Sequence, residues 1–355
     1  MSLQDDLFPV EPDLNTLGWS VYWSNAAAAF ADGHPQTRPA RVARADRSGC
    51  LAHTARGAVH ASLGDGPAPV TGDWILLDDA DRVVATLPRR TAFTRGAGRA
   101  DTRGQVLAAN VDLVWVVHGL SAAPNLSRIE RLLALAWSGG ATPVVVLTKA
   151  DLAADPDSER DETRAACPGV EVVCVSTVPQ HPAHAGLHTL RTLLRPGSTG
   201  TLVGPSGVGK SSLVNALVGA EVLLTRDIRA DGKGRHTSVA RELVPLPWGA
   251  TLIDTPGLRG VQLWDAADGL DATFADVTAL AEQCRFRDCA HDTEPGCTVR
   301  AAVADGSLSP RRLASFAKLN REQEWLAARY DARLRAEQRE KWKALGKIGR
   351  SRARP

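Results

Sequence analysis

The chain has 355 residues, long enough for two or three domains with cores of their own. Lys and Arg number 42 against 40 Asp and Glu, a formal net charge of +2, so global charge does not mark a polyanion binder and any such surface must be a local patch. No apolar run is long enough to cross a bilayer and no basic–apolar–small leader opens the sequence, so a cytoplasmic chain with no membrane partner is expected.

Residues 1–37 carry scattered prolines and an alanine run and read as an N-terminal extension. Across residues 38–100 short strand-like runs alternate with Gly, Pro and Asp, a pattern that predicts a small β-barrel. A five-stranded OB-fold is the first choice and a β-sandwich the alternative. Residues 101–273 have α/β texture. Buried strands are predicted at 111–117, 143–147, 170–175, 200–203 and 251–253, with helices at 126–137, 187–194 and 211–218. That alternation implies a mostly parallel sheet covered on both faces. Cys174, inside an apolar run, reads as a core residue. Residues 274–355 turn helical, are interrupted by a Cys/His cluster, resume as a helix from 310 to 344 and end in a basic tail.

Residues 204–211 match G-x-x-x-x-G-K-[ST] in full. Residues Gly204, Pro205, Ser206, Gly207, Val208 and Gly209 would wrap an anion, all but Pro205 offering a backbone N–H, and the helix behind them presents its positive end. Lys210 should reach the β- and γ-phosphates, Ser211 should bind Mg²⁺, and Ser212 completes the segment. Downstream, Asp254 closes an apolar strand and would face the metal through a water, while Gly257 of the same DTPG motif supplies a backbone N–H to the γ-phosphate. A turn is the alternative for DTPG alone.

The base-reading segment TKAD (residues 148–151) precedes the phosphate loop instead of following DTPG. Asp151 can accept from both N1–H and the exocyclic amine of guanine, a donor pair adenine lacks. Lys149 would lay its stem along the base or the phosphate loop. Thr148 stands where most GTPases have Asn, so it offers fewer bonds. Ser176 and Thr177 fit the position that closes over the guanine, or else a solvated strand end. Between phosphate loop and DTPG, residues 232–238 (GKGRHTS) read as a mobile loop. Thr237 is the first choice for a second Mg²⁺ contact and Ser238 the next. Position 258 is Leu where many GTPases place a water-orienting Gln. His236 is the candidate to position water in its stead, or it orders the loop. Slow intrinsic turnover, accelerated by a partner that orders this loop, is expected. The shifted motif order also makes the DTPG segment the last piece of the nucleotide domain, so the residues C-terminal to it are placed to feel the nucleotide state.

Six cysteines, three of them within residues 284–297, are too few and too clustered for a disulfide framework. Cys284, Cys289, His291 and Cys297 supply three thiolates and one imidazole, a filled tetrahedral set for one structural Zn²⁺ per chain. Arg285 and Arg287 beside them could contact phosphate or form a solvated loop.

GPSGVGKSS, GKGRHTS, DTPG and TKAD in this shifted order, followed by CRFRDCAH and Cys297, resemble the RsgA (YjeQ) family of circularly permuted GTPases. The resemblance covers residues 38 to 345. It implies an N-terminal OB-fold, a central permuted P-loop GTPase domain and a C-terminal, mostly helical zinc domain. It also implies GTP hydrolysis stimulated by the small ribosomal subunit, rRNA contact, and a role in late maturation of that particle and in the protein's own release. The family's switch histidine corresponds to His236 and its zinc ligands to Cys284, Cys289, His291 and Cys297. Thr148, Ser238 and the long N-terminal segment depart from the family pattern. A monomer that binds GTP and GDP is expected. The alternatives are an RNA-binding module with structural nucleotide and incidental hydrolysis, or a metal-delivery GTPase with labile zinc.

Overall fold

The computed structural model describes residues 13–31, 36–64, 66–95, 105–219, 241–254 and 267–330. The N-terminal unit is built from β1 (Arg38–Ala45), β2 (Gly49–Thr54), β3 (Gly57–Ser62), β4 (Trp74–Leu77) and β5 (Val83–Thr86). These pair antiparallel in the order β3-β2-β1-β4-β5. A parallel bridge between Ser62 and Arg82 brings the two edges together. The ring is therefore the small five-stranded barrel of the OB type, not a two-sheet sandwich. Register shifts between Val42 and Arg44 and between Leu76 and Leu77 bend the strands, as closure of so short a sheet requires. Inward residues are small or β-branched, among them Ala40, Val42, Ala52, Ala61 and Ile75.

Ahead of the barrel, α1 (Val21–Ala31) is a helix where the sequence reading assigns only an extension. Its alanine run carries no amphipathic signal; what fixes it is Trp23, buried, with Trp19 standing edge-on to Trp74 at 4.9 Å. After the barrel, β6 (Ala92–Arg95) and β7 (Gln105–Ala109) pair antiparallel and lead into the second sheet.

That sheet contains β8 (Leu113–Gly119), β9 (Thr142–Thr148), β10 (Glu171–Cys174), β11 (Thr199–Val203), β12 (Glu242–Pro245) and β13 (Thr251–Asp254), in the order β10-β9-β8-β11-β13-β12. All neighbours are parallel except β12, antiparallel to β13 at the edge. The two-residue period of β8 divides the core. Leu113, Trp115 and Val117 pack with leucines of α4 (Gly186–Leu193) and α5 (Lys210–Val218), whereas Val114 and Val116 pack with Ile129 and Leu133 of α2 (Leu126–Ser138). The sequence reading misses α3 (Pro156–Ala166), which is almost wholly polar. Its start is set by Asp155, whose carboxylate accepts from the Ser158 N–H at 3.0 Å, with Pro156 in the first turn.

The C-terminal unit comprises α6 (Ala267–Thr273), α7 (Ala275–Ala281), α8 (Thr298–Ala304) and α9 (Pro310–Tyr330). α6 lies so close to α2 that a Cβ at Gly269 would stand 2.2 Å from the Ala134 carbonyl oxygen. α9 reaches α2 through the ion pairs Arg311–Glu130 and Arg131–Glu322. Among the described residues no helix is long and apolar enough to cross a membrane.

Candidate nucleotide and metal sites

The carboxyl ends of the parallel strands converge on one edge of the sheet, where open α/β folds bind ligands. β11 runs into the phosphate loop there and α5 begins at Lys210. Gly204 turns the chain at φ 150°, and an added Cβ would lie 2.4 Å from the Val117 carbonyl oxygen. Only glycine fits a backbone pressed so closely against β8. Lys210 folds back over the loop and donates from Nζ to the carbonyls of Gly204 (2.9 Å) and Pro205 (2.7 Å). Ser211 is half-buried at the start of α5, whereas Ser206 and Ser212 are exposed.

Thr148 closes β9 and is 4% exposed. Its hydroxyl donates to the Val208 carbonyl inside the phosphate loop, with the His118 carbonyl at 3.2 Å as the other near acceptor. Lys149 follows in the left-handed region at φ 57° and donates from Nζ to the Gly207 carbonyl at 2.7 Å. Its stem passes Gly119, where a Cβ would meet the lysine Cδ at 3.5 Å. Asp151 sits in a short 3₁₀ turn, and its Oδ1 accepts from the Ser176 hydroxyl at 2.6 Å. Ser176 is fully buried and also accepts from the Val178 N–H at 3.0 Å. The structure therefore places Ser176 behind Asp151 as its anchor, while Thr177 is exposed beside it. His184, which the sequence reading does not single out, lies with Nδ1 3.2 Å from the Ser176 carbonyl and props the same turn.

On the metal side, β13 pairs with β11 through Thr201 and Ile253 and ends at Asp254. The Thr201 hydroxyl donates to the Ile253 carbonyl at 2.9 Å, fixing the strand end beside the phosphate loop. Gly257, His236, Thr237 and Ser238 lie outside the described residues.

The second site lies between α7 and α8. Cys284, Cys289, His291 and Cys297 bring their ligand atoms within 4.8 Å of one another. Cys284 Sγ is 3.9 Å from Cys297 Sγ and 3.7 Å from His291 Nδ1, and Cys297 Sγ is 3.5 Å from the same nitrogen. A tetrahedron with metal–sulfur bonds of about 2.3 Å has edges of about 3.8 Å, so the donor set fits a tetrahedral metal ion. His291 adopts the left-handed region at φ 59°, and Cys297 occupies the position ahead of α8 with no side-chain bond to the helix. Glu294, which sequence reasoning also passes over, pins the loop between ligands. Its carboxylate accepts from the N–H groups of Ala290 (3.0 Å), Asp292 (3.0 Å) and Thr293 (3.1 Å). Together with its own backbone N–H these hold its pKa down at about 2. Arg285 stands over the Phe286 ring at 5.5 Å, and Phe286 is 41% exposed.

Comparison with known proteins agrees with this arrangement. The family model for the RsgA GTPase matches residues 86–264. A "Small ribosomal subunit biogenesis GTPase RsgA" from Streptomyces coelicolor is 46% identical over 352 residues, covering 95% of this chain and 94% of the relative. One of the same name from Opitutus terrae is 42% identical over 96% of this chain and 98% of its own. Among solved structures, YjeQ from Thermotoga maritima superposes with a TM-score of 0.61 at 23% identity, covering 81% of this chain and 98% of that one. YloQ, a circularly permuted GTPase, gives 0.57 at 20% identity over 82% and 97%. The likeness to these two shows the fold; in this chain the strand that ends at Thr148 precedes the phosphate loop in sequence and adjoins it in space. With that topology, and with relatives matched over nearly their whole length, the chain belongs to the RsgA GTPase family.

Proposed function

We propose that this chain binds GTP with Mg²⁺ across the phosphate loop and the TKAD segment, hydrolyses it, and thereby times its stay on the small ribosomal subunit. The observation that carries the reading is the bond from the Thr148 hydroxyl to the Val208 carbonyl, which joins two segments 60 positions apart into one site. In this reading Asp151, held by Ser176, selects guanine, while Lys149 and Thr177 flank the base. Backbone N–H groups from Gly204 to Gly209, Pro205 excepted, receive the phosphates. Lys210 exchanges the carbonyls of Gly204 and Pro205 for phosphate oxygens. Ser211 and Thr237 would hold Mg²⁺, with Asp254 facing it through water and Gly257 meeting the γ-phosphate. Bound Mg²⁺ supplies charge neutralisation on the β- and γ-oxygens. With Leu at 258, His236 positions the attacking water. Cys284, Cys289, His291 and Cys297 would hold one structural zinc, since all four positions are filled and none is left for substrate.

The ribosomal partner is carried over from the relatives' names. An OB barrel and a metal-bearing helical unit flanking the GTPase sheet suit a grip on rRNA. Every group invoked lies on one chain, which supports a monomer, and the ribosomal partner in the relatives' names supports a cytoplasmic one. The test is GTP turnover by the purified protein with and without small subunits, alongside His236→Ala. Turnover should rise sharply with the subunit, and the variant should lose that stimulation while still binding GDP. Turnover indifferent to the subunit would leave nucleotide as a structural ligand of an RNA-binding module.

A further inference from the structure

Arg41 projects from β1 and is 2% exposed, yet among the described residues no carboxylate lies within ion-pair distance of it. Its donors meet only neutral acceptors: the Leu17 carbonyl at 3.3 Å, the Asn110 carbonyl at 3.1 Å and the Thr199 hydroxyl at 3.2 Å. The guanidinium carbon stands 5.0 Å from the Trp74 ring centroid, and Nε has no partner. Burial pulls its pKa down to about 10. A desolvated cation with three long neutral bonds is an expensive arrangement unless an anion completes it.

A cavity of about 350 Å³ opens beside it, where the N-terminal segment, the barrel and the approach to β11 meet. Its walls include Arg41, Arg90, Asp112, Ser20, Ser198 and Trp19. Arg90 stands over the Tyr22 ring at 5.5 Å, with its guanidinium 3.9 Å from the Asp112 carboxylate. Asp112 is the one acid in the lining, and its other oxygen already accepts from the Thr199 N–H at 2.8 Å. The next acid, Asp73, is taken by Arg89 through two bonds of 2.7 Å. Two guanidinium groups against one carboxylate leave the cavity with net positive charge. None of the phosphate-loop or TKAD residues lines it.

We propose that this cavity is a second ligand site, for a small phosphate-bearing anion, distinct from the nucleotide site. Guanidinium forks match phosphate oxygens, and hydroxyls on two walls suit a tetrahedral anion better than a planar carboxylate. The volume exceeds what bare phosphate needs, so a phosphomonoester with a small polar body is the favoured ligand class. Because Asn15, Arg41 and Ser198 come from three different parts of the chain, occupancy would fasten the barrel and N-terminal segment to the GTPase sheet.

The experiment is calorimetric titration of the full chain, in excess GDP and Mg²⁺ to fill the nucleotide site, with inorganic phosphate and with ribose 5-phosphate. One site per chain is expected, tighter for ribose 5-phosphate. Arg90→Gln should weaken it roughly tenfold, and Asp112→Asn, which removes the opposing charge, should tighten it severalfold. Arg41→Gln should abolish it; should that variant fail to fold, the opposite shifts of the Arg90 and Asp112 variants still decide. The proposal is overturned by an absence of saturable binding up to about 10 mM of either probe. Binding that ignores Arg90 and Asp112 overturns it equally.

Discussion

Arg312 on α9 donates to Glu130 on α2 at 2.8 Å, and their side chains are 4% and 0% exposed. All five N–H donors of Arg312 are engaged. Nε and one terminal nitrogen take Asp276 at 3.0 and 2.8 Å, and the rest reach Glu130, the Ala166 carbonyl at 3.0 Å and the Thr273 carbonyl at 2.7 Å. Phe274 lies under the guanidinium at 4.5 Å. Glu130 also accepts both terminal nitrogens of Arg311 at 3.0 Å. A saturated buried pair can break even against apolar residues, but removing one partner strands the other. Because Arg312 keeps Asp276, Glu130→Ala should cost about 1.5–3 kcal/mol in urea unfolding. The paired replacement Glu130→Leu with Arg312→Met should cost much less, and equal losses in the two would show that packing, not charge pairing, holds α9 to α2.

Thr148 makes a different kind of bond: one hydroxyl ties the TKAD segment to the phosphate loop. Thr148→Val keeps the shape but leaves the Val208 carbonyl without its donor, at a cost of about 1–1.5 kcal/mol. Titration with a fluorescent GDP analogue should show affinity falling roughly tenfold, while Thr148→Ser stays near the parent. Unchanged affinity in the valine variant would mean that the phosphate loop holds its shape without this tie.

The turn at the phosphate loop and the Cys/His cluster were legible in the sequence because each is written in a short contiguous string. Gly204 must be glycine, and Cys284 to Cys297 fall within one loop. The parallel strands were legible because burial on both faces makes continuous apolar runs such as residues 143–147. α3 was not, since only Thr163 is buried on it. Nor was the seam between α2 and α9: Arg311, Arg312 and Glu130 look like solvated helix charges until tertiary packing buries them. The sequence expectation that the metal-bearing unit follows the nucleotide state through the DTPG segment meets a further condition here. That unit is also fastened to α2, so any rotation must carry α2 or break the Arg312–Glu130 pair.

Asp151 is oriented by Ser176, and the two make separable predictions. Asp151→Asn replaces one acceptor by a donor, so it should abolish discrimination for guanine and favour a base with a carbonyl where guanine has its amine, such as xanthine. Ser176→Ala leaves the carboxylate but frees its rotamer. Competition binding should show a loss of severalfold for GDP with guanine preference retained. If Ser176→Ala instead erased the preference, the serine would be touching the base and not only its reader.

The metal loop gives a prediction in which the decisive residue is not a ligand. Glu294 collects the N–H groups of Ala290, Asp292 and Thr293, and so sets the path of the chain from Cys289 through His291 to Cys297. Residues that orient ligands change metal affinity about 10–100-fold when lost. Glu294→Ala should weaken zinc by that order in competition with a chromophoric chelator, with stoichiometry still one per chain. Cys297→Ser should do more, because Cys297 is itself one of the four clustered donors and directly precedes α8. Its loss should release the metal and lower the unfolding midpoint, since metal binding and local folding share one free energy. Full zinc affinity in Glu294→Ala would show that the four ligands find their geometry without the carboxylate, and that the three N–H groups are merely satisfied by it.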